Sequence, residues 1–154
     1  MSIRRRALTR AFELLYGPLV LLHEPLGGLV YGPSWKGRRL ALVADLPDAA
    51  VVIEVGSGEG RLVRHLDRLA VQAIGYEPSP AMRQRAWRRG IPLVSAPAER
   101  LPVPDGIVDM ILITYPGPWI FGRETWCEFA RVLRVGGEVR ILVGGRLGNR
   151  SVRS

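Results

Sequence analysis

The chain has 154 residues, of which 47% are apolar and 23% charged, and a formal net charge of +8. That length fits one ordinary domain with a real core, and the composition excludes a disordered or repetitive chain. Cys127 is the single cysteine, so neither an internal disulfide nor a multi-cysteine metal site can form.

The positive charge is carried by arginine, with Lys36 the one lysine. The densest clusters are "RRRALTR" at the start and "RQRAWRR" at 83 to 89. Solvated helix faces account for them at least as well as a binding patch does, and nucleic acid is not the expected partner. In chain order, residues 7 to 22 read as an amphipathic helix with Leu8, Phe12, Leu15 and Leu19 on one face, kinked or ended at Gly17-Pro18. The longest apolar stretch is broken there and again at His23-Glu24-Pro25, short of the ~20 residues a membrane span needs. No transmembrane segment is expected. The basic start lacks a signal-peptide core behind it, so a cytoplasmic location is expected. A Gly/Pro-rich loop leads to a short apolar helix around 40 to 46, which completes an N-terminal helical segment over 1–46.

From residue 51 strands alternate with helices. "VVIEV" is a continuous apolar run of the kind buried on both faces of a sheet. Behind the glycine turn, "RLVRHLDRLA" puts Leu62, Leu66 and Leu69 on one helical face. "QAIGYE" is the second strand. Ser79-Pro80 offers an N-cap followed by proline at the first helical position, and Gly90 a C-terminal stop, which predicts a helix over 80 to 89. "IPLVSA" is the third strand and "GIVDMILIT" the fourth. "RETWCEFARVLRV" is a helix closed by Gly136-Gly137, with Cys127 a reduced, half-buried structural thiol, and "EVRILV" is the fifth strand. This alternation predicts an α/β fold: a doubly wound, mostly parallel, Rossmann-like sheet of order 3-2-1-4-5 plus N-terminal helices. The predicted core spans 50–143, followed by a basic tail over 144–154. In such sheets ligands bind at the carboxyl ends of the strands, beside the switch point where the glycine turn lies.

In "EVGSGEG" the glycines fall at 56, 58 and 60. A dinucleotide fingerprint places its third glycine at position 61, which is Arg61, and no Gly-Lys-Ser/Thr follows for a Walker loop. What remains is a turn stripped of side chains, with Glu54 upstream suited to an ammonium group. Glu77 ends the second strand, where a carboxylate grips two ribose hydroxyls. A ribose with an amino-acid moiety and no phosphates fits S-adenosyl-L-methionine better than a dinucleotide.

The motifs "VVIEVGSGEG", "GYEPSPAM", "APAERLPVPDGIVDMILI" and "EFARVLRVGGEVRIL", in register over roughly 50 to 143, resemble the class I S-adenosylmethionine-dependent methyltransferases. The likeness is greatest to the ubiquinone/menaquinone-biosynthesis-type, small-molecule branch. The resemblance implies S-adenosylmethionine as cofactor. It places Gly56, Ser57 and Gly58 against the methionine moiety with Glu54 tuning that end, Glu77 on the ribose, and Pro78 and Met82 flanking adenine. Ala98 and Glu99 approach the adenine edge, and Thr114 and Tyr115 face the methyl donor or acceptor. Pro97 stands where many relatives carry an Asp that accepts from the adenine amino group, so backbone and packing would read the base.

The family's sheet usually continues with a helix and a strand 6–7 hairpin, whereas this chain stops at "GGRLGNRSVRS". The fifth strand is then expected to be an uncovered edge, open to a homodimer. The implied function is methyl transfer to a small, hydrophobic acceptor. A catalytically impaired binding or dimerisation module is the alternative, and an RNA methyltransferase the third reading. Methyl transfer can proceed by positioning alone. His23, Glu24, Tyr16 and Tyr31 are the candidate bases, and none is assigned a catalytic role. His65 reads as a surface or structural residue, and no metal site is expected.

Overall fold

The computed structural model describes residues 41–43, 45–46, 50–143 and 150–153. The expected helix over 7 to 22, the candidate bases Tyr16, His23, Glu24 and Tyr31, and most of the 1–46 segment lie outside the described residues. Of the helix expected around 40 to 46, Ala41 is helical, and Leu42 and Val43 form a buried turn.

Four parallel strands form the sheet centre: β1 (Val52–Val55), β2 (Ala73–Tyr76), β3 (Val108–Thr114) and β4 (Leu133–Leu142). β5 (Arg150–Arg153) adds antiparallel to β4, giving the order β2-β1-β3-β4-β5. The helices are α1 (Arg61–Arg68), α2 (Pro80–Trp87) and α3 (Arg123–Val132), with a 3-10 turn over Pro118–Phe121. The α/β, doubly wound, Rossmann-like architecture is as the sequence predicts.

Alternation along the strands explains the layers. Val52 in β1 and Met110 and Leu112 in β3 face the α1 side chains Leu62 and Leu66. Ile53, Val55, Ile111 and Ile113 point the other way, onto Phe129 and Val132 of α3. Every residue of β1 is buried, which is why its sequence reads as an unbroken apolar run. Glu54, on the Val52 side, is the exception in chemistry.

Four expectations are corrected. The third strand shrinks to one parallel bridge, Val94 beside Tyr76, at the position the order required. Pro92, which has no N–H to donate, and the exposed Val94 and Ser95 leave little to extend it. Gly136-Gly137 does not cap α3, which ends at Val132. The two glycines lie instead in an irregular stretch of β4, between the Val108–Leu133 and Met110–Glu138 pairs. A Cβ on Gly137 would come within 3.0 Å of the Val108 carbonyl oxygen, so only glycine passes this close. The edge of β4 is not uncovered, because Glu138–Ile141 pairs with Arg150–Arg153 from the segment read as a basic tail. That pairing removes the open edge on which the homodimer expectation stood. Finally, Cys127 is exposed, on the outer face of α3.

The capping signals around α2 hold. Ser79 is the N-cap, its Oγ accepting from the Met82 N–H at 3.5 Å, and Gly90 follows with φ +73. In α1 the buried face is Leu62, Val63 and Leu66, whereas Leu69 lies past the last turn and is exposed.

Candidate cofactor site

The turn after β1 is built by backbone geometry. Gly56, Gly58 and Gly60 all have positive φ, between +55 and +73, a region costly for side chains. The N–H groups of Gly56 and Ser57 both donate to the Tyr76 carbonyl, at 2.9 and 3.1 Å, which ties the turn to the end of β2. The buried Ser57 hydroxyl donates back to the Glu54 carbonyl at 3.0 Å.

Glu77 binds this turn to the start of α2. Its carboxylate accepts from the Gly58 N–H and the Ser79 N–H, both at 2.8 Å, one on each oxygen. Burial pushes its pKa up, and those two N–H groups and Arg83 pull against the shift. Each oxygen keeps a further lone-pair direction for a ligand hydroxyl. A Cβ on Gly58 would meet nothing within 4 Å, so open space lies over the turn beside the acid. A side-chain-free turn next to a buried carboxylate is the cradle a nucleoside needs, and the residues present fit it.

The other expected contacts divide. Glu54 is buried, and its Oε1 accepts from Thr114 Oγ1 at 3.4 Å, which joins the ends of β1 and β3. Pro78 is exposed beside Glu77, whereas Met82 is buried on the inner side of α2. Ala98 belongs to the core cluster with Ile53 and Tyr76, and Glu99 is exposed. His65 is half-buried on α1. Among the described residues no cluster of His, Cys, Asp or Glu could hold a metal.

One residue was missing from the expected set. The Trp119 ring lies over Gly56, with Cζ2 at 3.1 Å from where a Cβ would stand. The only sequence signal was an indole in the "YPGPWIF" loop after the fourth predicted strand.

The arginines of "RQRAWRR" are largely engaged within the domain. Arg83 donates to the Glu77 and Pro78 carbonyls at 2.7 Å, and Arg85 and Arg89 pair with Glu59. This weakens a nucleic-acid reading of that helix.

With this geometry in place, comparison with known proteins is decisive. A sequence-family model described as a methyltransferase domain matches residues 53–141. The chain belongs to the methyltransferase domain family. An uncharacterized methyltransferase of Mycobacterium tuberculosis is 32% identical over 101 residues, covering 63% of this chain and 41% of that protein. A malonyl-acyl-carrier-protein O-methyltransferase of Xylella fastidiosa is 29% identical over 141 residues, 86% of this chain and 45% of that one. The crystal structure of a SAM-dependent methyltransferase from Thermotoga maritima superposes with a TM-score of 0.62 at 27% identity, covering 82% of this chain and 58% of that one. The methyltransferase domain described here thus spans less than half the length of these two curated relatives. It is of the class I, S-adenosylmethionine-dependent type, and no helix among the described residues is long and apolar enough to cross a membrane.

Proposed function

We propose that this domain transfers the methyl group of S-adenosylmethionine to a small, apolar, uncharged acceptor. The observation that carries the acceptor class is a cavity of about 610 Å³ at the carboxyl ends of β3 and β4. It is lined by Tyr115, Pro116, Ile120, Phe121, Trp126, Ile141 and Val143, none of which carries a formal charge at neutral pH. Pockets of roughly 300–1,000 Å³ suit small organic ligands, and desolvating a charged one against these walls would be costly.

The cavity adjoins the cofactor cradle. Tyr115 follows Thr114, which touches Glu54, and Ile120 follows Trp119, which lies on Gly56. Its wall is fixed: Trp126 Nε1 donates to the Ile120 carbonyl at 2.7 Å, and the buried Thr125 hydroxyl to that of Trp119 at 2.9 Å. Tyr115 is held at φ +52 while its N–H donates to the Leu142 carbonyl at 2.7 Å, a strained backbone of the kind that clusters at functional sites.

Bound S-adenosylmethionine would supply an electrophilic methyl group on sulfur. The chain's part is to hold the nucleoside through Glu77 and the glycine turn, and to orient an acceptor in the apolar cavity. Of the described lining residues only Tyr115 carries an ionisable side chain, so positioning and desolvation carry most of the catalysis. Relatives point both ways on the acceptor, one being named for a malonyl group on acyl-carrier protein and another, of Deinococcus radiodurans, for transfer RNA, so the cavity carries the reading.

The test is transfer of a tritiated methyl group to a panel of phenols, isoprenoid alcohols and fatty alcohols, with transfer RNA alongside. Label in the organic-extractable products is expected. Label confined to RNA would overturn the reading.

A further inference from the structure

We propose that Trp119 is a cofactor-positioning residue. Its indole faces the sulfonium end of S-adenosylmethionine and favours the charged donor over its neutral product, S-adenosylhomocysteine. This rests on the cofactor reading above.

The ring's place is specific. Cζ2 lies 3.1 Å, and Cε2 and Cη2 3.9 Å, from the point a Cβ on Gly56 would occupy, so the six-membered ring covers the first glycine of the turn. The backbone that carries the ring is clamped, its carbonyl accepting from the Thr125 hydroxyl and the Gly122 N–H, both at 2.9 Å. The indole packs against the core cluster that holds Ile53 and Val55 yet stays half-buried, leaving surface for a ligand. Two residues on from Gly56 the turn has open space at Gly58, and Ile120, next to Trp119 in the chain, lines the apolar cavity.

Packing alone does not explain that choice of residue, since an aliphatic side chain would also cover a glycine. A π face offers more to a cation, through its negative quadrupole and with no competing charge. The sulfonium is cationic before transfer and becomes a neutral thioether afterwards. An aromatic surface at that spot therefore holds the donor and loosens once the methyl group has left. Glu54, buried within β1 just before the turn, serves the ammonium end in this scheme.

Calorimetric titration of the wild type, Trp119→Phe and Trp119→Leu with each of the two ligands tests the proposal, with thermal melts confirming the fold. Trp119→Leu should weaken S-adenosylmethionine more than S-adenosylhomocysteine, by on the order of tenfold, while Trp119→Phe retains most of the preference. Equal losses for both ligands, or none, would overturn the proposal and leave the cofactor reading standing. Failure of the wild type to bind either ligand would overturn both. Should Trp119→Leu not fold, fluorine NMR of 5-fluorotryptophan-labelled protein decides. The resonance assigned by its loss in Trp119→Phe should move differently with the two ligands, and identical shifts would overturn the proposal.

Discussion

The carboxylate of Glu77 accepts the N–H of Gly58 at 2.8 Å, joining the first residue beyond β2 to the middle of the glycine turn. With the matching bond from Ser79, one buried acid organises both the turn and the start of α2. Its structural duty is visible in these two bonds, and the proposed function adds a ligand-binding one.

Its titration gives the first prediction. Burial raises the folded-state pKa of Glu77 above its unfolded value, so its contribution to stability is fully present below the ordinary carboxylate range. That contribution is lost as pH rises through the raised value. Glu128 behaves oppositely, because the Arg131 bond holds its pKa down. Its contribution is present above the ordinary range and lost as pH falls through the lowered value. Melts of Glu128→Gln against wild type should differ at neutral pH and converge in acid. A gap that widens in acid would contradict this.

Two glycines with the same backbone should respond differently to alanine. Gly60 (φ +71) and Gly90 (φ +73) both pay the left-handed penalty of about 1–2 kcal/mol. At Gly60 the new Cβ also lands 2.7 Å from Ile91 Cγ2, whereas at Gly90 it meets nothing within 4 Å. Gly60→Ala should therefore cost about 1–3 kcal/mol more than Gly90→Ala, read from urea midpoints. Equal losses would show that the contact relaxes freely.

Phe121 separates acceptor binding from folding. It is 86% exposed yet lines the apolar cavity. Phe121→Ser should change stability by no more than about 0.5 kcal/mol, leave cofactor affinity unchanged and raise the KM of an apolar acceptor several-fold. An unchanged KM would remove that cavity from the acceptor site.

Phe129 anchors the opposite helix. It is 1% exposed, within the cluster shared by β1, β3 and α3, and stacks edge-on to Trp126 at 5.6 Å between centroids. Phe129→Ala should cost about 3–5 kcal/mol in chemical denaturation. A cost below about 1 kcal/mol would mean that the α3 layer contributes little to the core.

The strands buried on both faces were plain in the sequence, because β1 is apolar but for Glu54, β3 is apolar but for Asp109 and Thr114, and no helical period competes. Ser79-Pro80 and Gly90 marked α2 by local chemistry alone. Gly136-Gly137 misled, since a glycine pair signals a helix stop as readily as an irregular strand, and only the closeness of the Val108 carbonyl separates the two. β5 carried no apolar alternation to announce it; its partner is the backbone edge of β4. At the site, Glu54 and Glu77 stood out as acids at strand ends. Trp119 did not, because its partner Gly56 is remote in sequence and no periodicity connects a loop indole to a turn.

The central claim is that the glycine turn and Glu77 hold S-adenosylmethionine. Calorimetric titration with S-adenosylhomocysteine, on wild type and on Glu77→Ala verified as folded, tests it most directly. The account predicts one site per chain in the wild type and at least a tenfold loss in the variant, since hydrogen bonds to a charged group are worth about 1.5–3 kcal/mol. No binding by the wild type, or equal binding by both proteins, would contradict it.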